Sequence, residues 1–388
     1  MIHNKVFIAI STIALVGGLV SFLTSCEQLG SLPSGTIKEK IEVSPNFDRN
    51  RSEFVNRRPD VVRNMGEGHG FWSDPLGRIQ HNFFFNNNET KPLSILPEDK
   101  QPIPRDFRNS NQTIKFSWLG HSSILLSISN KIMLIDPIFS SSASPFSGLV
   151  KRYQPPVIAL EDIPEIDFIL ISHDHYDHLD MATIKHFRTK DVKYIVPLGV
   201  SPHLLQWGVD PNKIIEFDWW DSQKIGGLTF ICTPAQHFSG RLGPFKNNKS
   251  LWASWVVKSP SNNFYFSGDS GYDTHYKNIG EKYGPFDLVF MDSGQYNIRW
   301  KAVHNMPDEV IRGFQDLRGK NLIPIHWAMF TLSLHNWYDP IVESTKLADK
   351  LGLSIMTPRI GQFVELGAPN IFEKWWLRFM GGGAAQNR

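Results

Sequence analysis

Residues 173–178 read His-Asp-His-Tyr-Asp-His, three imidazoles and two carboxylates in six positions. These are the nitrogen and oxygen donors that divalent transition ions accept. In an extended turn alternate residues point the same way, so His173 and His175 can grip one ion while Asp177 and His178 face a neighbouring one. A polar surface loop would explain a single histidine here; it does not explain H-x-H-x-D-H spacing. Three further donors each stand where an apolar run ends. His237 follows Leu228–Cys232, Asp269 sits in Ser267-Gly-Asp-Ser-Gly271, and His326 closes Leu322-Ile-Pro-Ile325. Singly, each has an ordinary explanation, such as turn chemistry for the Asp. Together they make coincidence a poor account.

The elements that must position these donors can be read from periodicity. β-like runs occupy residues 114–119, 123–128, 131–135, 166–171, 193–196 and 213–217. The second half continues with 228–232, 251–257, 264–267, 288–291, 322–325, 353–356 and 363–366. Helical patterns lie at 181–187, with Asp180 as N-cap, and at 307–317 and 340–351, each of the latter starting on proline. Many strands with intermittent helices predict an α/β architecture of two sheets flanked by helices rather than one wound parallel sheet.

The wider pattern resembles the metallo-β-lactamase fold superfamily, in which H-x-H-x-D-H is followed by His, Asp and His at successive strand ends. Within it, the chain is similar to the branch holding N-acylphosphatidylethanolamine-hydrolysing phospholipase D and its bacterial relatives. The residues that carry this are Trp118-Leu-Gly-His-Ser122, Ile135-Asp-Pro137 with Phe139, Pro234-Ala-Gln-His237, Tyr265-Phe-Ser-Gly-Asp-Ser-Gly-Tyr272, His304 ahead of Pro307-Asp-Glu309, and Ile325-His-Trp327. The resemblance spans about residues 60 to 370; Ser270 stands where the branch commonly has Thr.

It implies a four-layer αββα sandwich with two mixed sheets. It also implies a binuclear centre, with His173, His175 and His237 on one ion, Asp177, His178 and His326 on the other, and Asp269 bridging. Zn²⁺ is the implied metal, and Mn²⁺ or Fe²⁺ would accept the same ligands. Such a centre lowers the pKa of water towards neutrality for attack on a phosphodiester. Asp177 is then placed to aim the attacking water, and His304 to stabilise the phosphoryl group or protonate the leaving group. His121 and Asp136, near earlier strand ends, either orient a metal ligand or cap a turn. A phospholipid is the implied substrate. Alternatives are another ester, a lactone or a nucleotide diester, or a non-catalytic envelope lipoprotein whose metals only stabilise the fold.

The chain has 388 residues, 41% hydrophobic and 20% charged, enough to bury a large core. A formal net charge of +2, with no long basic block, gives no footprint for general nucleic-acid binding. Lys5, the apolar stretch Val6–Leu23 and then Leu23-Thr24-Ser25-Cys26 resemble a bacterial lipoprotein signal. The expectation is a signal peptide over 1–25, lipid attached at Cys26, and a body held at the cell envelope, on the periplasmic face of the outer membrane. An uncleaved transmembrane anchor is the rival. Cys232 would then stand alone, a buried inert thiol.

The expected organisation continues with a tether over 26–60, an irregular N-terminal layer over 61–110, a hydrolase domain over 111–370 and an aromatic segment and tail over 371–388. The segment Ile371–Met380 mixes aromatic and cationic side chains, suited either to a lipid interface or to packing on the body.

Overall fold

The computed structural model describes residues 26–58, 61, 89–146, 148–241 and 247–381. The expected signal peptide therefore lies outside the described residues, as does much of the expected N-terminal layer. Among the described residues no helix is long and apolar enough to cross a membrane.

A two-stranded hairpin, β1 (Phe47–Asp48) and β2 (Glu53–Phe54), precedes the main sheets. The first sheet contains β3 (Ile114–Trp118), β4 (Ile124–Ile128), β5 (Lys131–Ile135), β6 (Phe168–Leu170), β7 (Lys193–Pro197) and β8 (Ile214–Phe217). The second contains β9 (Ser222–Ile225), β10 (Leu228–Thr233), β11 (Ser254–Lys258), β12 (Asn263–Phe266), β13 (Leu288–Asp292) and β14 (Leu322–Ile325). β15 (Phe363–Glu365) returns to the first sheet, giving the orders β15-β3-β4-β5-β6-β7-β8 and β14-β13-β12-β11-β10-β9. Both sheets are mixed. The first is antiparallel from β15 to β5 and parallel from β5 to β8; the second is antiparallel from β9 to β12 and parallel from β12 to β14.

Burial on both faces explains why the strands read as continuous apolar runs without polar alternation. Along β4, Leu126 faces the shared core between the sheets while Leu125 faces the outer helices. Between the sheets, Phe116 meets Phe290 edge to face at 5.4 Å, and Phe168 meets Phe230 at 5.0 Å. Helices Met181–Phe187 and Ser201–Gln206 cover the first sheet; His275–Tyr283 and Pro307–Asp316 cover the second. This is the αββα sandwich.

Two local expectations change, one strand appears that was not expected, and one open alternative is decided. Residues 26–58 are not a tether. The helix Gly35–Val43 buries Ile41, and Phe54 is fully buried in the main core. The segment is also stitched to the body, with Trp207 Nε1 donating to Glu27 O and Asn56 Nδ2 to His237 O. Its few apolar residues, scattered among Ser, Pro and charge, left no periodic signal to read. The run 353–356 forms only an isolated bridge through Ile355, because Gly352 in a left-handed conformation has just ended a helix. β9 escaped notice because three of its four residues are exposed and polar, as an edge strand allows. The C-terminal aromatics pack inward. Trp375 and Trp376 are buried, and Trp375 stacks on Trp327 at 5.3 Å.

Candidate metal centre

The donors gather where β6, β10, β12 and β14 end; one of them, His326, and two residues behind them, His121 and Asp136, are held by backbone that side chains rarely adopt. Asp136, His121 and His326 all have positive φ, at 40°, 51° and 69°. A non-glycine residue in this region costs roughly 1–2 kcal/mol. Reciprocal hydrogen bonds offset it: His121 N donates to Trp327 O and His326 N to His121 O. Such strain, concentrated at the converging strand ends, is characteristic of functional sites.

Three imidazole nitrogens meet first. His173 Nε2 lies 2.9 Å from His175 Nδ1, which lies 3.2 Å from His237 Nε2. Nitrogens this close need a shared cation or proton between them. Tetrahedral bonds of about 2.0–2.1 Å put ligand atoms about 3.3 Å apart, close to these separations. A second group forms around Asp177 Oδ2, which is 3.4 Å from His178 Nε2 and 3.3 Å from His326 Nε2. Asp269 Oδ2 lies between the groups, 3.1 Å from His178 Nε2, 3.2 Å from His326 Nε2, 3.7 Å from His237 Nε2 and 3.9 Å from His173 Nε2. All seven residues expected from sequence are therefore brought together. They make two adjacent donor sets joined by one carboxylate, which could hold two ions.

The donor chemistry fits divalent metal. All the ligand atoms are nitrogen or oxygen, and His178 Nε2 and Asp269 Oδ1 are buried without a hydrogen-bond partner. Burial drives the His173 and His237 imidazoles well below their usual range, so both stand neutral with lone pairs free. Burial would lower His178 too, but Asp269 and Asp177 outweigh it and hold that ring well above its usual range. His326 rises to about 10, because Asp269 and Asp292 overcome its burial. Asp177 and Asp269 remain far below the usual carboxylate range, their burial outweighed mainly by His178. Without metal, protons on His178 and His326 thus balance the two buried carboxylates, and bound divalent ions would replace those protons on the same ligands.

Each donor is oriented from behind. Asp136 Oδ2 lies 2.7 Å from His178 Nδ1 and accepts from Ser172 Oγ at 2.5 Å, and Ser172 Oγ in turn lies 2.9 Å from His173 Nδ1. His121 Nε2 lies 2.9 Å from Asp177 Oδ2, so His121 and Asp136 both orient site residues. His237 Nδ1 lies 3.0 Å from Val303 O. Asp174, unassigned in the motif, braces the loop: it accepts from Gly240 N and Ser250 Oγ and faces His203 Nε2 at 3.2 Å. Arg241, buried, donates to Asp174 O, Leu179 O and Gln28 O, and its guanidinium stacks 3.9 Å over Tyr176.

His304 sits over the same cavity, its ring 5.1 Å from His326 and stacked on it. Sequence reasoning missed its partner. Asp292 is fully buried, with Oδ2 3.0 Å from His304 Nδ1 and Oδ1 3.2 Å from His326 Nδ1. The available signal was an Asp ending the run Leu288–Met291, the same strand-end placement as the other donors. The cavity holds about 340 Å³ and is lined by His175, Asp177, His237, Asp269, His304 and His326 together with Phe238, Gln295, Trp300, Val303 and Leu332. A carboxylate holding Nδ1 leaves His304 Nε2 for chemistry above the donors.

Comparison with known proteins agrees with this geometry. Residues 131–327 match a family model described as a beta-lactamase superfamily domain. An uncharacterised protein of Mycobacterium tuberculosis is 33% identical over 384 residues, covering 97% of this chain and all of that one. N-acyl-phosphatidylethanolamine-hydrolyzing phospholipase D 1 of Caenorhabditis elegans is 36% identical over 266 residues, 63% of this chain and 74% of that protein. Among solved structures, the isothiocyanate hydrolase from Delia radicum gut bacteria superposes with a TM-score of 0.51 at 18% identity, over 66% of this chain and 100% of that one. That likeness concerns the fold alone.

Proposed function

The chain belongs to the metallo-β-lactamase superfamily and is a metal-dependent hydrolase, and on that premise we propose that it cleaves an ester-type bond, a phospholipid phosphodiester first among candidates. The observation that carries this is His304, braced by Asp292, standing over two donor sets joined by Asp269. When bound, two divalent ions would supply Lewis acidity and lower the pKa of water towards neutrality.

We assign the chain's own residues as follows. His173, His175 and His237 would hold one ion, Asp177, His178 and His326 the other, and Asp269 would serve both, with zinc the first metal to test. Asp177 accepts a hydrogen bond that aims the attacking water. As the new oxygen–phosphorus bond forms and the bond to the leaving alkoxide breaks, His304 Nε2 delivers the proton that alkoxide requires. The similarity to the nematode phospholipase supports an N-acylated phosphatidylethanolamine as substrate. The exposed Cys26 supports attachment to an envelope membrane through lipid on that residue.

A second reading keeps these residues and changes the bond to a lactone, another ester or a nucleotide diester. It is favoured by the absence of Lys and Arg from the described cavity lining, where a phosphoryl-selective site often adds a cation. Mass-spectrometric detection of N-acylethanolamine and phosphatidic acid from the lipid, beside lactone and nucleotide diester panels, separates the two. Two bound metals with turnover of none of these substrates would sink both and leave a metal-stabilised lipoprotein.

A further inference from the structure

We propose that Asn56 is a positioning residue for the metal centre. Its side-chain amide fixes the main chain of His237, so the N-terminal segment sets the affinity of the ion that His237 serves. The inference rests on the metal assignment above and not on the identity of the substrate. His237 stands past the end of β10, in the stretch Pro234-Ala-Gln-His237, where the chain has left its sheet. Among the described residues, no backbone group pairs with its main chain. The Asn56 side chain takes both polar groups instead. His237 N donates to Asn56 Oδ1 at 3.1 Å, and Asn56 Nδ2 donates to His237 O at 2.8 Å. A carboxamide offers an acceptor and a donor side by side, so it meets a peptide much as a neighbouring strand would.

This arrangement sets His237 apart from other imidazole donors. The main chain of His175 is held by its own loop, its carbonyl accepting from His178 N and Leu179 N, while His326 N donates to His121 O. Those partners come from the domain that carries the donors. Asn56 comes from a segment that supplies no donor at all. His237 is almost wholly buried, so without Asn56 its N–H and carbonyl would need other partners. The imidazole would then be held from behind only at Nδ1, 3.0 Å from Val303 O. One point of support leaves a ring free to tilt; a second, on the main chain, fixes the direction of Nε2 towards the ion.

Asn56 is itself anchored on both sides. Phe54, fully buried in the main core, donates its N–H to Asn248 O, and Val55 N donates to Asn46 O. Asn248 Oδ1 also accepts from Ser239 N, just past His237. On the other side Arg57 pairs with Asp273 at 3.3 Å and donates to Thr274 Oγ1, just beyond the turn that presents Asp269. An amide fixed between a core phenylalanine and an ion pair can impose a geometry on its partner.

The test takes the zinc-loaded full chain and titrates it with a chromogenic chelator that reads each ion as it leaves. The parent is compared with Asn56→Ala, Asn56→Asp, Asn46→Ala and His237→Ala. Asn56→Asp keeps the shape and the acceptor and removes only the donation to His237 O, which guards against a misfolded alanine variant. Asn46→Ala removes a bond from the same segment to Asp218 Oδ1, a group that reaches no donor. The binding step that His237→Ala abolishes should weaken by about 10–100-fold in both Asn56 variants. The other step should match the parent, as should both steps in Asn46→Ala. Equal weakening of both steps, the same loss in Asn46→Ala, or unchanged affinity in the Asn56 variants would each overturn the proposal. A parent chain that binds a single ion would refute the two-ion assignment alone. The role of Asn56 would then stand if that ion weakens in Asn56→Asp and fall if it does not.

Discussion

The floor of the cavity and its rim are built by opposite rules. On the floor, donors are almost wholly buried, and His121, Asp136, Ser172 and Asp292 fix them from behind. On the rim, in the loops that bring Trp300 and Leu332 to the cavity, Ile298 and Leu332 stand in solvent, and the bonds between the loops run mostly through backbone carbonyls. The floor spends backbone strain and buried charge to hold one geometry, as a reactive centre must. The rim leaves its surface uncommitted, as a substrate-facing edge can. Chemistry should therefore fail when floor residues change, and substrate presentation should change when rim residues do.

The hardest blow to the floor is Asp269→Asn. A neutral amide cannot serve both donor sets, so turnover should fall by about 10³-fold or more, with metal content reduced, by kinetics and elemental analysis together. Near-normal turnover would refute the bridging role. His304→Gln removes the transferable proton and leaves the metal donors intact. Turnover of an alkyl diester should fall by about 10²-fold or more, with much less loss for a p-nitrophenyl leaving group that needs no protonation. Equal losses on both substrates would reduce His304 to a packing residue.

How much of this was legible in the sequence follows the same division. The seven donors stood out because metal-binding residue types recur at strand ends in one order, and strands buried on both faces announce themselves as apolar runs. Asp292 was not legible, since a single Asp closing a strand looks like turn chemistry until His304 and His326 are seen on either side of it. The docked segment 26–58 was misread because side-chain-to-backbone bonds such as Arg241 to Gln28 O leave no periodic trace. Trp375 and Trp376 could be read as interfacial or as core, and only packing against Trp327 decides between them. Local chemistry shows in sequence; partners brought from far along the chain do not.

Behind the donors the expected effect is smaller and falls on metal affinity. Asp136 touches no ion in the proposed arrangement; it orients His178 and, through Ser172, His173. Asp136→Asn should therefore weaken metal binding by about 10–100-fold, read by competition with a chelator. Turnover at saturating metal should be largely restored. A deficit that added metal does not correct would place Asp136 in the chemistry itself and blur the line between donors and their supports.

The mildest effect belongs to the rim, where it also discriminates best. Lys301 is exposed beside Trp300, and on the phospholipid reading a cation near an anionic bilayer contributes about 1 kcal/mol, roughly a factor of five. Lys301→Gln should lower kcat/KM for substrate presented in anionic vesicles by about fivefold and change turnover of a small soluble diester much less. Because the attraction is screened, the vesicle deficit should shrink in about 0.5 M salt, where the Debye length falls to a few ångströms. A loss of the same size on the soluble diester, unchanged by salt, would mean that Lys301 acts on the reacting group. The rim would then belong to the chemistry, and the contrast with the floor would fail at the point where charge, not packing, was supposed to separate them.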